Sequence, residues 1–398
     1  MRILFLCHRF PYPADGGGKI RALEMIRALG RSHEVDVVSM LRDDDEASKA
    51  PGLAQFCAGY DAPRVGGAGQ WLRVGLGVLG ARSLSEGYFG SPAVAAAVSR
   101  RLAGTRYDRI VVHCSSMAPY VAGVRDIPKL LDLCDIDSEK WRMYADATPG
   151  PRGLVYRYEQ HAVARLERRM VAAYDLSTVA TPNELESLRG IDPDARTDWF
   201  PNGVDVVRFA PLEQAPDPDR LCFVGRMDYL PNEQTVVDFC EHTLPLIRKS
   251  RPGTRFVIIG ANPSERVRQL ASLEGVEVTG TVDDVRPELG RSVAMVAPLT
   301  IARGVQNKIL ESMAMGVPVV TSRLAARGVD AQPHRDLLCA DTPAEVAEAA
   351  LGLLGDPARR RAFSHAGLAL VRDRYTWANS LARFERMVAG LDGEGASC

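Results

Sequence analysis

The stretch PLTIARGVQNKILESMAMGVPVV, residues 298–320, decides the fold because it passes from strand to helix and back to strand within a short length of chain. It begins with an apolar strand end, and Gly304 opens a short helix. Gly316 and Pro318 then close that helix in the manner usual for helix C-termini, and a second apolar strand follows. A strand–helix–strand unit of this kind predicts a parallel α/β sheet.

The helix within this stretch carries a pair of opposite charges. Lys308 and Glu311 are three residues apart, so they share one face of the helix. A cation and a carboxylate beside the free N–H groups of a helix N-terminus suit a diphosphate that carries a ribose. An ordinary surface ion pair on a sheet-packing helix is the alternative that this spacing leaves open.

Alternating strands and helices extend from this stretch towards both ends of the chain and predict two domains. A polar connection with three prolines, residues 211–218, separates the two series and marks a boundary. We expect two doubly wound Rossmann-like domains, residues 1–205 and 206–372, facing a central cleft. A C-terminal helix in residues 373–398 is expected to cross back to the first domain. Ligands should bind at the carboxyl ends of the strands.

The composition is that of a globular protein and excludes several classes of function. Of the 398 residues, 46% are hydrophobic and 25% are charged, which is typical of soluble domains. A net charge of −1 argues against non-specific nucleic-acid binding. The eight cysteines form no CxxC pair and no zinc-like spacing, which indicates buried thiols in a reducing compartment. No signal peptide and no spanning apolar run is recognisable, so we expect a cytoplasmic protein.

Two features of the first domain are candidates for ligand contact. The loop after the first strand contains Gly17 and Gly18, whose small size lets backbone and helix N-terminus approach a ligand. It is neither GxGxxG nor a P-loop, and a flexible surface turn is the alternative. His113 ends a later strand, where it can donate to a sugar hydroxyl or phosphate, or act as a base. A structural histidine is the alternative.

The second domain offers a glycine and an arginine after its first strand. Gly225 permits close approach of a ligand, and Arg226 can bind a phosphate through two hydrogen bonds. Arg226 and Lys308 both follow strand ends of the same domain, so they can converge on one diphosphate. A surface arginine at a loop start is the competing interpretation.

Two further charged segments allow two interpretations each. Carboxylates in residues 132–139 can bind metal or act as acid and base, although a helix cap by Asp137 or Ser138 is the commoner explanation. The arginine-rich helix of residues 151–170 can contact anionic lipid. A solvated cationic face balanced by Glu159 and Glu167 is the alternative.

Along nearly its full length the chain resembles the retaining glycosyltransferases of the GT-B fold, family 4. The matching segments are residues 1–6, 16–18, 111–113, 181–184, 201–205, 223–226, 279–282, 308–311 and 316–320. Within that family the chain looks most similar to sugar transferases associated with exopolysaccharide and exosortase (PEP-CTERM) gene clusters. This finer resemblance rests on residues 134–141 and 228–232.

The resemblance implies a role for each matching residue. Arg226 and Lys308 hold the donor diphosphate after Gly225, Glu311 binds the ribose, and His113 lies near the transferred sugar. Departure of the nucleoside diphosphate develops negative charge that fixed cations stabilise. The remaining donor contacts that the resemblance implies are Gly17, Gly18, Gly280, Val282, Gly304 and Val305.

Two positions depart from the family pattern. Relatives commonly have two glutamates with seven residues between them; Glu311 fits the second, but Arg303 occupies the first, which usually contacts the donor sugar. The lysine that usually follows the Val-Gly-Arg motif is also missing, with Pro231 and Asn232 in that region. Lys308 is then expected to supply the second positive charge.

The sequence therefore predicts a retaining, metal-independent hexosyltransferase without a cofactor. It would move a sugar from a UDP- or GDP-linked donor to a lipid-linked or growing glycan acceptor in exopolysaccharide biosynthesis. Peripheral contact with the anionic inner face of the plasma membrane is a further hypothesis. A sugar-nucleotide epimerase and a non-catalytic nucleotide-binding subunit of a polysaccharide complex are the competing functions.

Overall fold

A computed structural model describes residues 1–14, 17–80 and 82–392. The chain forms two compact units: unit 1 comprises Met1–Pro201 and the chain from Ser380 onward, and unit 2 comprises Asn202–Asn379. The link at Asn202 lies close to the predicted boundary at residue 205. Residues just beyond Asn202 belong to unit 2 because the Val204 N–H donates to the Tyr375 carbonyl at 2.7 Å.

Unit 1 is a parallel sheet with helices in its connections. Its strands are β1 (Arg2–Cys7), β2 (Glu34–Val38), β3 (Gly59–Asp61), β4 (Arg109–His113), β5 (Lys129–Cys134), β6 (Leu176–Val179) and β7 (Thr197–Trp199). Its helices are α1 (Gly17–Gly30), α2 (Asp44–Lys49), α3 (Ala68–Leu79), α4 (Leu84–Phe89), α5 (Pro92–Gly104), α6 (Asp137–Ala147), α7 (Pro151–Val171) and α8 (Pro182–Ile191).

The strand order of unit 1 places a topological switch point between β1 and β4. The sheet runs β3-β2-β1-β4-β5-β6-β7, and all its pairs are parallel. The chain winds outward in one direction from β1 and in the other from β4, so the connections leave a crevice where they part. β1 and β4 are fully buried apolar runs, as the central strands of a doubly wound sheet require.

Unit 2 repeats this architecture with six strands. The strands are β8 (Arg220–Val224), β9 (Arg255–Ile259), β10 (Val276–Gly280), β11 (Ala294–Ala297), β12 (Val319–Thr321) and β13 (Leu338–Cys339). The helices are α9 (Leu230–Asp238), α10 (Leu244–Ser250), α11 (Glu265–Gln269), α12 (Arg286–Gly290), α13 (Asn307–Ala314), α14 (Arg323–Ala326), α15 (Pro343–Gly355), α16 (Pro357–Arg374) and α17 (Trp377–Ala389). Helix α17 begins in unit 2 and continues into unit 1.

The strand order of unit 2 places its switch point between β8 and β11. The sheet runs β10-β9-β8-β11-β12-β13, again with parallel pairs. Both units therefore have the doubly wound order that the sequence predicts, and the α/β fold class is confirmed. The cleft between the two domains stays a prediction.

Helix α13 ends as predicted but begins later than predicted. Gly316 has φ +69° and donates its N–H to the Met313 carbonyl, while the Val317 N–H bonds to the Ser312 carbonyl, which completes a Schellman motif. The helix starts at Asn307, so the prediction that Gly304 opens it was wrong. Gly304 instead has φ +59° in the preceding loop, a conformation that glycine adopts without strain.

The helical segment that follows β8 is interrupted. Helix α9 already starts at Leu230, because Pro231 fits the first turn of a helix. A π-type turn, Phe239–Thr243, then separates α9 from α10, whose second residue is again a proline. The early start of α9 places Asn232 in its first turn, where the side chain contacts Lys308 and the Arg226 carbonyl beside the switch point.

Candidate active site

The switch point of unit 2 is packed so closely that it requires glycine after β8. A Cβ atom added to Gly225 would lie 2.6 Å from the Asn232 amide nitrogen and 3.2 Å from the Lys308 ammonium nitrogen. On the neighbouring strand, a Cβ on Gly260 would lie 1.7 Å from the Gly225 carbonyl oxygen. The sequence prediction that Gly225 permits close approach thus has a structural basis, and the groups that approach include protein side chains.

Asn232 joins two of the predicted donor-binding residues. The Lys308 ammonium donates to Asn232 Oδ1 at 2.5 Å, and Asn232 Nδ2 donates to the Arg226 carbonyl at 2.8 Å. The ammonium also lies 4.2 Å from the centroid of the Phe223 ring, a cation–π contact with a residue of β8. The structure therefore brings Gly225, the Arg226 backbone and Lys308 together.

Burial changes the acid–base properties of both charged residues on α13. It lowers the pKa of Lys308 to about 7, although the nearby Glu311 carboxylate opposes this shift. It raises the pKa of Glu311 to about 7, against the attraction of Arg208 and Lys308. The ion pair predicted as the ordinary alternative therefore does not dominate here: the hydrogen bond of Lys308 goes to Asn232, on another helix.

The Arg226 side chain is exposed and engaged beside the site. Its guanidinium donates to both carboxylate oxygens of Asp228, at 3.1 and 2.7 Å, and these bonds hold the pKa of Asp228 below its usual range. The structure brings only the Arg226 carbonyl close to Lys308, through Asn232, while the Arg226 guanidinium faces Asp228, so the convergence of the two cations on one diphosphate stays a prediction. A diphosphate that binds Arg226 would have to compete with this carboxylate.

The other residues predicted to contact the donor lie in loops of unit 2. Gly280 ends the edge strand β10 with φ +68°, and the space beside its Cα is open. Edge strand β10 is two strands from β8, about 10 Å at the usual strand spacing. Val282 and Val305 are partly buried against the core of the unit. The Arg303 side chain is partly buried, and its carbonyl accepts a 2.9 Å bond from Gln306.

His113 in unit 1 belongs to a buried charge network that the sequence did not reveal. His113 Nδ1 lies 2.8 Å from Asp132 Oδ2, and Arg21 binds both Asp132 oxygens at 2.8 Å. Thr178 donates to the same carboxylate at 3.1 Å, and the Arg21 guanidinium stacks 3.7 Å from the centroid of the Phe200 ring. Burial alone raises the pKa of Asp132, but the Arg21 guanidinium holds it well below its usual range.

This network fixes the His113 ring through one nitrogen and leaves the other, Nε2, without a partner in the described part of the chain. An ionised Asp132 accepts the Nδ1 proton of neutral His113, so the lone pair lies on Nε2. His113 Nε2 is buried and makes no hydrogen bond within the described part of the chain. A buried polar atom without a partner is rare, but the predicted contact of His113 with the sugar stays a prediction.

Two more such atoms accompany His113 at the carboxyl ends of adjacent strands. They are His8 Nδ1, just after β1, and Asp135 Oδ1, just after β5. The His8 and His113 rings lie 6.4 Å apart, and burial lowers the pKa of His8. Burial also raises the pKa of Asp135 to about 7. Strands β1, β4 and β5 are neighbours in the parallel sheet, so these three atoms lie along the same edge of it.

The remaining predictions for unit 1 have mixed outcomes. Gly17 and Gly18 begin α1 and are exposed, with open space beside Gly18, whereas the rest of the predicted glycine loop, residues 15 and 16, lies outside the described residues. Neither Asp137 nor Ser138 caps α6, so that prediction was wrong. The Ser138 N–H donates instead to Glu167 at 3.1 Å.

Glu159 and Glu167 do not balance the arginines of α7, so that interpretation was also wrong. Both side chains are buried. Glu159 accepts from the Leu84 and Ser85 N–H groups at the start of α4, at 2.6 and 2.9 Å. Burial raises the pKa of Glu167 to about 8. The acidic partners of the α7 arginines lie outside the helix: Arg169 pairs with Glu86 at 2.9 Å and Arg157 with Asp146 at 3.7 Å.

Two family models match the chain, one for each unit. Residues 16–203 match the family described as Glycosyl transferase 4-like domain, and residues 218–356 match Glycosyl transferases group 1. The two matches together account for most of the sequence. The chain belongs to the GT-B glycosyltransferases. This confirms the resemblance to GT-B glycosyltransferases, while the retaining mechanism and the finer resemblance to exosortase-associated transferases stay predictions.

Solved structures of glycosyltransferases share the fold over almost the whole chain. Sucrose-phosphate synthase from Thermosynechococcus elongatus superposes with a TM-score of 0.74 at 16% identity, covering 99% of this chain and 100% of that one. Anabaena HepE in complex with UDP gives a TM-score of 0.69 at 14% identity, with 98% and 100% covered. At such identities the likeness shows the fold alone.

A curated relative matches a shorter part of the glycosyltransferase. Phosphatidyl-myo-inositol mannosyltransferase from Propionibacterium freudenreichii subsp. shermanii is 28% identical over 187 residues. The match covers 45% of this chain and 45% of that relative, so it spans less than half the length of either protein.

Two further features of the structure bear on a metal requirement and on membrane contact. Among the described residues, one group could hold a metal ion: Asp238, Glu241 and His242, all exposed, at the opposite end of α9 from Asn232. Asp284 accepts from the Arg286 N–H at 3.0 Å just before α12. In the part of the chain that the structure describes, no helix is long and apolar enough to cross a membrane.

Proposed function

We propose that this protein transfers a hexose from a UDP- or GDP-linked donor to a lipid-linked or growing glycan acceptor, with retention of the anomeric configuration. The observation that carries the proposal is the Gly225–Asn232–Lys308 cluster beside Arg226 at the switch point of unit 2. This is where doubly wound sheets bind nucleotides. The structural neighbour HepE was solved with UDP and with UDP-glucose, which supports a UDP donor.

The cations of the cluster stabilise the leaving group. Cleavage of the bond between sugar and diphosphate develops negative charge on the leaving phosphate, which Lys308 stabilises together with Arg226 once the diphosphate has displaced Asp228 from the guanidinium. Lys308 has a pKa of about 7 without ligand, so the charge of the diphosphate draws it into the protonated form. Asn232 holds the ammonium by one hydrogen bond and leaves its other two protons for phosphate oxygens.

Glu311 and the loops around it bind the rest of the nucleotide. In its ionised form the Glu311 carboxylate accepts hydrogen bonds from ribose hydroxyls. The open space beside Gly280, about 10 Å from β8 across the sheet, suits the base. The leaving phosphate takes the proton of the acceptor hydroxyl, so no separate protein nucleophile is needed.

Unit 1 contributes groups that recognise sugar hydroxyls. His113 Nε2 accepts from a hydroxyl while Asp132 holds the ring in the required tautomer. Asp135, with a pKa of about 7, serves as donor or acceptor near neutral pH. Gly17 and Gly18 leave room at the start of α1 for a phosphate or an acceptor.

The proposal extends to the acceptor, the site of action and the metal requirement. A lipid-linked acceptor in exopolysaccharide synthesis on the cytoplasmic face of the membrane follows from the resemblance to exosortase-associated transferases. The similarity to phosphatidyl-myo-inositol mannosyltransferase, 28% identical over 187 residues, supports a lipid acceptor. Metal independence follows because two protein cations supply the charge that Mg²⁺ supplies elsewhere.

Arg303 sets the preference for the donor sugar in this proposal. A guanidinium cannot accept hydrogen bonds from sugar hydroxyls, as the usual glutamate would, but it fits a carboxylate. An acidic donor such as a uronic acid would use this group. Comparing UDP-glucuronate with UDP-glucose, for wild type and Arg303→Glu, tests it. If the acidic donor is never preferred and the ratio is unchanged, the backbone of Gly304 and Val305 holds the sugar instead.

A donor screen tests the proposed activity as a whole. Purified protein is incubated with a panel of nucleotide sugars, and release of UDP or GDP is measured together with the thermal shift. We expect one donor to be turned over and to stabilise the fold. A changed sugar nucleotide formed without any acceptor would indicate an epimerase, and binding without turnover would indicate a non-catalytic subunit.

A further inference from the structure

The outer face of α3 is apolar and exposed. Trp71 is 67% exposed, Leu72 is 65% exposed and Leu76 is 58% exposed. A surface helix of a globular protein normally presents polar residues on this side. Single exposed apolar residues are common, but a row of large ones along one helix marks an interaction surface.

The opposite face of α3 is packed against α4, so the outer face cannot be buried by rotating the helix. A Cβ atom on Gly87 of α4 would lie 2.7 Å from the Cα of Val74, which shows that the two backbones are in close contact. Gln70 donates from its side chain to the Tyr88 carbonyl at 2.8 Å. Rotating α3 to bury its outer side chains would break both contacts.

The same surface continues onto α7. The Tyr158 hydroxyl donates to the Arg82 carbonyl at 2.8 Å and thereby ties α7 to the chain that leaves α3. One turn before Tyr158, Leu154 is 70% exposed and Val155 is 49% exposed. We call the outer face of α3 together with Leu154 and Val155 the apolar surface.

A basic cavity lies on the other side of Tyr158. It has a volume of about 630 Å³, and four arginines line it against one carboxylate, Glu86. The arginines are Arg82, Arg165, Arg168 and Arg169. Glu86 pairs with Arg169 at 2.9 Å, whereas Arg82 and Arg168 make no ion pair within the described residues.

We infer that the apolar surface and the basic cavity together dock unit 1 on an anionic lipid bilayer. The apolar side chains enter the boundary between headgroups and acyl chains, and the cavity receives the phosphate of a lipid headgroup. The inference deepens the proposed function, since a lipid-linked acceptor is reached at a membrane. It moves the main contact from the arginine-rich helix alone to α3, which the sequence did not single out.

The combination of features favours a bilayer over a second copy of the chain. In a twofold dimer the same patch meets itself, so the arginine-lined cavities would be brought towards one another without acidic partners. A bilayer offers both an apolar interior and a negatively charged surface, which match the two parts of this surface. The apolar part alone would not distinguish these occupants.

Flotation with vesicles tests the inference directly, without donor or acceptor. The full chain is mixed with phosphatidylcholine vesicles with or without about one third phosphatidylglycerol. We expect wild type to float with the anionic vesicles at low salt and to detach as salt rises. Leu72→Glu/Leu76→Glu and Arg82→Glu/Arg168→Glu should each weaken binding at least about tenfold. Trp71 fluorescence should shift to shorter wavelength with vesicles, and Trp71→Phe should lose that change.

Matched variants in unit 2 serve as controls. Leu246→Glu/Leu273→Glu changes two other exposed leucines, and Arg361→Glu/Arg372→Glu reverses two exposed charges on α16. Both should float like wild type. Release of nucleoside diphosphate from a soluble donor should be unchanged in all α3 variants, so failure of docking and failure of the proposed function are distinguishable.

Three results would overturn the inference. Wild type that does not float with anionic vesicles would refute docking, and so would an α3 variant that floats as well as wild type. A dimer in sedimentation that Leu72→Glu/Leu76→Glu converts to monomer, without vesicle binding, would show that a second copy covers this surface.

Discussion

Asn232 is expected to control how the donor diphosphate meets Lys308, although relatives of this fold usually have a lysine in this region. Asn232→Ala removes the 2.5 Å bond to the Lys308 ammonium and the 2.8 Å bond to the Arg226 carbonyl. A hydrogen bond to a charged group contributes roughly 1.5–3 kcal/mol. If the ammonium loses its position in the transition state by that amount, kcat/KM for the donor falls about 10- to 150-fold.

The pH profile separates this positioning role from a merely structural one. Lys308 binds phosphate in its protonated form, so kcat/KM should fall as pH rises above its pKa of about 7. Asn232→Asp places a carboxylate beside the ammonium, which raises that pKa and moves the fall to higher pH while competing with the diphosphate. Gln234→Ala, two residues along the same helix, is the control and should behave as wild type.

The assay is steady-state release of nucleoside diphosphate between pH 6 and pH 9, with circular dichroism to confirm folding. Asn232→Ala that is folded and keeps kcat/KM within twofold of wild type would refute the positioning role. The positioning role would also be refuted if kcat/KM of Asn232→Asp fell at the same alkaline pH as that of wild type. A carboxylate in contact with the Lys308 ammonium must raise the pKa of Lys308.

Three other predictions concern charge, metal and stability. Lys308→Arg should keep kcat/KM constant above pH 7, because a guanidinium stays charged. A fall of kcat/KM like that of wild type would show that another group causes the pH dependence. Activity should persist in EDTA, and a loss restored only by Mg²⁺ or Mn²⁺ would disprove metal independence. The raised pKa of Glu167 gives stability that is complete below about pH 4 and lost as pH rises to about 8. Glu167→Gln, whose amide can keep both contacts to Ser138, should therefore melt a few °C above wild type at pH 9 but not at pH 5. Parallel melting at both values would show that Glu167 is not buried as described.

Local sequence signals predicted the alternation of strands and helices well. The apolar run of β1 and the glycine that ends α13 follow from rules that involve neighbouring residues only. The start of α13 did not follow, because Gly304 bends the chain where its carbonyl meets Gly328, whose Cβ would lie 2.1 Å away. A contact between residues distant in sequence cannot be read from the stretch itself.

Only part of the candidate site was predicted, because its other contacts also join residues that are distant in sequence. Gly225, Arg226 and Lys308 stand at strand ends and were found from their positions. The network of Arg21 with Asp132 joins residues 111 positions apart, and Arg21 looks like a surface residue of an amphipathic helix in the sequence. Asn232 was noted only as the place of a missing lysine; an amide that replaces a cation near the Val-Gly-Arg motif is a signal that could have revealed it.

The apolar face of α3 escaped prediction because its pattern is ambiguous. The helix contains Gly75 and Gly77 and few polar residues, so no polar face appears in the sequence and glycine weakens the helical signal. Only the packing of Gly87 against α3 decides which side is covered. In the same way, the sequence shows Glu159 and Glu167 as charges but not that they point inward.

Direct titration of UDP and GDP into the protein tests the central claim most directly, namely that unit 2 holds a nucleoside diphosphate through Arg226 and Lys308. Isothermal calorimetry should show one site per chain for one of the two nucleotides. Arg226→Ala and Lys308→Ala should each weaken binding about 10- to 150-fold, as expected for the loss of a charge-assisted contact, without loss of fold. Unchanged affinity in both folded variants, or no binding of either nucleotide to wild type, would contradict the account.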